Sequence, residues 1–203
     1  MELQDVGTIV FTGDSVTDRG RRADPRGIGR GYVRMIEQEL GEPSPRIVNT
    51  GLSGDRLVDL ERRWPNDVVA HHAGLVSVLI GINDTWRRFD RGMPSPVPEF
   101  EARYDRLLTT LDGPRLVLVE PFVLPVSPDQ ESWRPDVEER IAVVHRLAAR
   151  HGAVLVTADR ELRKRAEEVG AATLAADGVH PTDEGHRALA EVWLETVRTA
   201  SPA

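Results

Sequence analysis

Ile9-Val10-Phe11-Thr12-Gly13-Asp14-Ser15-Val16-Thr17-Asp18 is the stretch on which the fold turns. An apolar, β-like run stops at Gly-Asp-Ser and gives way to small polar residues. Read as a buried strand, it leaves Ser15 just past the strand's carboxyl end, where open α/β sheets hold their ligands. A serine there acts as a nucleophile only if the chain also supplies a base, an orienting carboxylate and donors for an oxyanion. Taken alone, Ser15 reads as a helix N-cap.

Outward from this run, the same pattern repeats. Strands are expected at Gly7–Thr12, Arg46–Asn49, Leu75–Ile80, Arg115–Glu120 and Ala153–Val156. Leu75–Ile80 and Leu116–Val119 are nearly continuous apolar runs, which suit central strands of a parallel sheet covered on both faces. Amphipathic segments lie between them. Phe100, Tyr104, Leu107, Leu108 and Leu111 share one helical face, as do Val137, Ile141, Val144, Leu147 and Ala148. Val33, Ile36 and Leu40 mark a helix over Gly31–Leu40. Arg56–Trp64 reads as another, ended by Pro65. Leu189, Val192, Trp193 and Val197 form the last, with Thr182 as its N-cap. Such alternation implies βαβ units and a parallel sheet. Asp18–Arg30, Arg91–Pro98 and Pro121–Pro135 break the rhythm and are expected as loops.

Composition narrows the function. The 203 residues suit one domain; 40% are hydrophobic and 29% charged, an ordinary balance for a globular protein. No cysteine is present, which excludes disulfides and thiol chemistry. No basic leader or bilayer-length apolar run is visible, so a cytoplasmic protein is expected. A net charge of −7 weighs against a nucleic-acid partner. Arg19, Arg21, Arg22, Arg26 and Arg30 form a local exception, read either as a solvated loop or as a rim for a polar or anionic substrate. His71 and His72 are adjacent and point apart, a surface pair and not a metal site.

In a parallel sheet, residues following the strands gather along one edge. That edge receives Ser15, then Asn49-Thr50-Gly51-Leu52-Ser53-Gly54-Asp55, then Gly81-Ile82-Asn83-Asp84. Asp177-Gly178-Val179-His180-Pro181 arrives just before the last helix. Individually, Gly54 is a turn glycine, Asn83 a capping residue and His180 a surface histidine. Together they supply what a serine nucleophile needs. His180 can serve as base, Asp177 can fix its tautomer, and the N–H groups of Ser15 and Gly54 with the Asn83 amide can hold an oxyanion. Asp14 is too close to Ser15 to serve readily as the orienting acid and is expected to brace the turn.

These four blocks resemble those of the SGNH hydrolases, the GDSL-type esterases, across essentially the whole chain. The resemblance implies a flavodoxin-like α/β/α sandwich with a five-stranded parallel sheet, one domain over 1–203 and no cofactor. It implies Ser15, Asp177 and His180 as catalytic residues, and Ser15, Gly54 and Asn83 as the oxyanion hole. Gly13–Asp18, Gly31-Tyr32-Val33, Asp59-Leu60, Arg63-Trp64, Asp67-Val68 and Ile80–Arg87 further resemble the intracellular carbohydrate acetylesterases, which deacetylate xylan-derived oligosaccharides. Asp14, Tyr32 and Trp86 are then expected to bind substrate, Trp64 to lie in the core, and Trp133 to wall the cleft or an interface. A homo-oligomer is an expectation of the same kind. Ala176 departs from the subgroup, which can carry an aromatic residue there to close a small acyl pocket. A lysophospholipase or thioesterase, a carbohydrate-binding protein without catalysis, and an acyltransferase are the competing readings.

Overall fold

The computed structural model describes residues 3, 6–41 and 44–200. Its strands are β1 Thr8–Gly13, β2 Arg46–Asn49, β3 Leu75–Leu79, β4 Arg115–Val119 and β5 Val154–Val156. All pair in parallel, in the order β2-β1-β3-β4-β5. Each lies within one residue of its expected bounds at either end. Side-chain alternation explains the continuous apolar runs. Ile9, Phe11, Leu75, Leu79, Val117 and Val119 enter one core, while Val10, Val76, Val78 and Leu118 enter another on the opposite face.

The first core packs beneath α2 Tyr32–Leu40, α8 Ala158–Val169, α9 Ala171–Leu174 and α10 Asp183–Thr199. The second packs beneath α3 Leu57–Asp67, α5 Val97–Thr109 and α7 Arg134–His151. The result is a three-layer sandwich. Its buried polar atoms are largely paired: Trp193 Nε1 donates to Ser77 Oγ at 3.0 Å, so the indole fills the core without stranding its N–H. Trp64 lies in the second core, as expected, and donates to Thr110 Oγ1 at 2.9 Å.

Pro65 does not end α3, which continues to Asp67. An interior proline costs about 3 kcal/mol, but this one sits in the last turn. Only the bond to the Glu61 carbonyl is lost, and Val68 N still donates to Trp64 O at 3.0 Å. Two longer helices beyond the expected set, α4 Ile82–Arg91 and α8, also appear, with the short α1 Ser15–Asp18, α6 Pro128–Glu131 and α9. Thr182 caps α10 as expected, accepting from Gly185 N at 3.1 Å.

The order reverses between β1 and β3, a topological switch point where a crevice opens at the strands' carboxyl ends. The turn after β1 and the first turn of α4 flank that crevice. The backbone passes tightly here: a Cβ on Gly13 would lie 2.0 Å from the Leu79 carbonyl oxygen, so only glycine fits.

Candidate active site

The turn that carries Ser15 is built from the inside out. Asp14, not Ser15, is the N-cap of α1; its Oδ1 accepts from Val16 N at 3.0 Å. Ser15 therefore begins the helix with its side chain free of capping work. Asp14 is 1% exposed, and Oδ2 has no partner among the described residues. Burial pushes its carboxyl up to about 7, with Asp55 and Asp84 adding repulsion, against the lowering pull of the Val16 N–H. Asp14 thus braces the turn and, enclosed there, offers almost no surface to a substrate.

Tyr32, the other residue expected at the substrate, is enclosed in the same way. It is fully buried, its hydroxyl is 3.1 Å from Thr17 Oγ1, and its ring meets Phe11 edge-on and stacks on His186. Gly31 and Tyr32 start α2 behind the site and leave the phenol no route into the cleft.

The loop after β2 is locked against the Ser15 turn by two buried side chains. Asn49 Nδ2 donates to the carbonyls of Thr17 and Ile28, both at 2.7 Å, and Oδ1 accepts from Gly51 N. The Asp18 carboxylate accepts from Ser53 N at 3.1 Å and from Ser53 Oγ at 2.7 Å. Gly54 follows with φ +89°, and a Cβ there would meet nothing within 4 Å. Its glycine is required by backbone conformation alone.

Asn83 is the second residue of α4 and 2% exposed. Its amide donates to Asp55 O at 3.1 Å, which orients the group and leaves its second N–H for the cleft. Asp84 joins the same elements from beneath, accepting from Leu57 N at 2.9 Å and Ser95 Oγ at 2.8 Å. Burial raises its carboxyl, and nearby Arg140 opposes that.

The loop before α10 carries the remaining pair. His180 Nδ1 is 2.6 Å from Asp177 Oδ2, while Asp177 Oδ1 accepts from the backbone N–H of Val179 and of His180. Burial works to raise the Asp177 carboxyl, but the His180 side chain and these N–H groups outweigh it and hold the acid below its usual range. With Nδ1 engaged, His180 presents Nε2 as its free nitrogen.

Ser15, Gly54, Asn83 and His180 line one cleft of about 320 Å³, along with Trp86 and His186. Trp86 lies 5.8 Å from the His180 ring, and Arg87 lies over its face. Trp133 backs Trp86 from a third, small core, and so lies one layer behind the cleft wall. Arg19 lines the rim and pairs with Asp183 at 3.1 Å, while Arg21 and Arg26 are taken up by Gly51 O and Glu37. A second, wider hollow of about 720 Å³ adjoins the outer side of His180, with Ala176 in its wall. His186, which the sequence did not bring forward, accepts from Tyr32 N at Nδ1 (3.2 Å). Burial, with Arg19 nearby, pushes it down to about 3, so it is a neutral ring.

The profile of the GDSL-like lipase/acylhydrolase family matches residues 11–188. An acetylxylan esterase from Geobacillus stearothermophilus is 32% identical over 207 aligned residues, 93% of each chain. Its crystal structure superposes with a TM-score of 0.88 at 30% identity, over 98% of both chains. Variants of that enzyme with serine, aspartate or histidine changed to alanine are catalytic mutants, the last two positions being three residues apart. Another variant replaces a tryptophan immediately before that aspartate. No described helix is long and apolar enough to cross a membrane. The fold, the order of the blocks and these likenesses agree: the chain belongs to the GDSL-like lipase/acylhydrolase family and is a serine carboxylic-ester hydrolase.

Proposed function

We propose that this chain removes acetyl groups from xylo-oligosaccharides or related acetylated sugars through a Ser15 acyl-enzyme. The observation that carries the mechanism is the 2.6 Å contact of Asp177 with His180 at the rim of the cleft that also holds Ser15, Gly54 and Asn83. Ser15 Oγ attacks the ester carbonyl as His180 Nε2 takes its proton, and Asp177 stabilises the imidazolium. The new oxyanion receives the N–H groups of Ser15 and Gly54 and the free amide hydrogen of Asn83. As the tetrahedral intermediate collapses, His180 returns the proton to the departing sugar oxygen. Water, activated by the same ring, then attacks the acyl-enzyme and releases the acid.

The cleft supports a small, polar ester. Its volume is modest, and Trp86 beside His180 offers a face on which a sugar ring can stack. The relatives that act on acetylated xylan share the fold over nearly the whole chain. Ala176 and the hollow beside it favour a second reading at the level of substrate size, in which a bulkier ester is accepted. The wall there includes Thr173, Thr182, Asp183 and Glu184, a lining better matched to hydroxyls than to a lipid tail.

Acetate release from a panel of acetylated xylo-oligosaccharides tests the substrate, with p-nitrophenyl esters of rising chain length beside it. Ser15→Ala should abolish turnover in a folded protein. Near-normal turnover by that variant would overturn the mechanism, and rates that climb from acetyl to decanoyl would favour the lipid reading.

A further inference from the structure

Arg63 on α3 lies outside the cleft, yet its guanidinium reaches both the strand end before Ser15 and the loop that carries Gly54. Nη2 donates to Gly13 O at 2.8 Å, two residues before Ser15. Nη1 donates to Thr50 O at 2.5 Å, in the loop after β2, and to Asp67 at 3.0 Å. Nε donates to Asp55 Oδ2 at 2.6 Å. Asp55 directly follows Gly54, and its carbonyl is the group that orients the Asn83 amide. One rigid fork therefore fixes the strand end before Ser15, the residue after Gly54 and, through Asp55, the side chain of Asn83.

On the reading of Ser15, Gly54 and Asn83 as nucleophile and oxyanion donors, we infer that Arg63 is a positioning residue that sets the three donors in mutual register. Two physical requirements converge on it. Two carbonyls from different strand ends and a carboxylate must be met from a single point, which a planar guanidinium with five fixed donors does and an ammonium does not. The second requirement is charge. Asp55 and Asp84 lie close enough to Asp14 to oppose its ionisation, just where a further negative charge develops in the transition state. Arg63 is the cation bonded to Asp55, and its side chain is only 14% exposed, so little solvent screens it.

Donors that act on the oxyanion are felt in the transition state and not in ground-state binding. Arg63→Lys should therefore lower kcat about 10- to 100-fold, less than the loss of a whole donor, with KM for p-nitrophenyl acetate nearly unchanged. A boronic acid that adds to the serine and mimics the tetrahedral intermediate should lose affinity in step with kcat/KM. Millimolar ethylguanidinium should restore part of the kcat of Arg63→Ala, a response that a purely structural role would not give. Ser15→Ala is assayed alongside. An inactive Ser15→Ala with Arg63→Lys within threefold of wild type overturns the inference and leaves the mechanism standing. An active Ser15→Ala overturns the mechanism itself. Failure of both Arg63 variants to fold assigns the residue to stability and also overturns the inference.

Discussion

The two halves of the candidate site are built on different principles. On the Ser15 side, Asp14, Asn49, Asp18, Asn83 and Asp84 are all buried, and the last four tie separate segments together through their side chains. On the His180 side, the side chains of Asp177 and His180 are 51% and 40% exposed, and the loop is shaped mainly by bonds to its own backbone. Oxyanion donors must be rigid before charge appears, because a donor that reorganises during reaction loses its advantage. A base that moves protons to and from a departing alcohol needs an open face. On the proposed mechanism, rigidity is concentrated where charge develops and access where groups exchange.

Asp177→Asn should give the largest loss after Ser15→Ala. An amide can leave His180 in the wrong tautomer without moving it, and the comparable change in serine proteases costs about 10⁴ in kcat. Steady-state kinetics on p-nitrophenyl acetate measures this; a loss below tenfold would show that the exposed half contributes little. Asn83→Ala comes next, with kcat down about 10²–10³ and KM unchanged. A matching rise in KM would assign Asn83 to substrate binding and break the contrast between the halves.

Gln130 is a smaller effect and sharpens the comparison from the open side. Its Nε2 donates to Asp177 O at 2.6 Å, and its Oε1 accepts from Val126 N, so it is a side-chain anchor for the His180 loop. Leu124 N adds a backbone tie to Gly178 O at 2.8 Å. Gln130→Ala should lower kcat by about tenfold at most, since the backbone tie remains and one neutral hydrogen bond contributes about 1 kcal/mol. A loss as large as that of Asp177→Asn would mean that the open half depends on side-chain bracing as much as the buried one.

The same division explains what the sequence reveals. The strands are legible because runs such as Leu75–Leu79 must satisfy two cores at once, which leaves few polar interruptions. Ser15, Gly54, Asn83, Asp177 and His180 stand out because each follows a strand or lies just before the last helix. Helix α8 is not legible: its buried residues are Ala158, Asp159 and Leu162, too few apolar positions to mark a face. Arg63 is visible only as part of a motif. Two of its partners are backbone carbonyls, which carry no residue identity, and their convergence exists only after β1 and β2 pair. Tyr32 shows the reverse case: its motif marks it out in the sequence, while burial and the Thr17 and His186 contacts that hold it behind the wall exist only in the fold.

The smallest effect on catalysis is also a sharp test of how closed the Ser15 side is, and it is read as stability against pH. Asp14 and His186 are both buried there, with displacements of opposite sense. Between the ordinary carboxyl value of 3.8 and about 7, native Asp14 keeps a proton that the unfolded chain has lost. Its contribution is full below 3.8 and disappears as pH rises through about 7. Between about 3 and 6.5, the unfolded chain protonates His186 while the native ring stays neutral. That contribution is full above 6.5 and is lost as pH falls toward 3. In the shared window the two slopes oppose each other, so the wild type should show a shallow profile. Asp14→Asn keeps the cap and should leave stability rising with pH, whereas His186→Asn should leave it falling. Each change is worth up to about 1.4 kcal/mol per pH unit. Urea denaturation across the window measures both slopes. Two variants that run parallel to the wild type would mean that water reaches these groups, and that the Ser15 side is no more closed than the loop that carries His180.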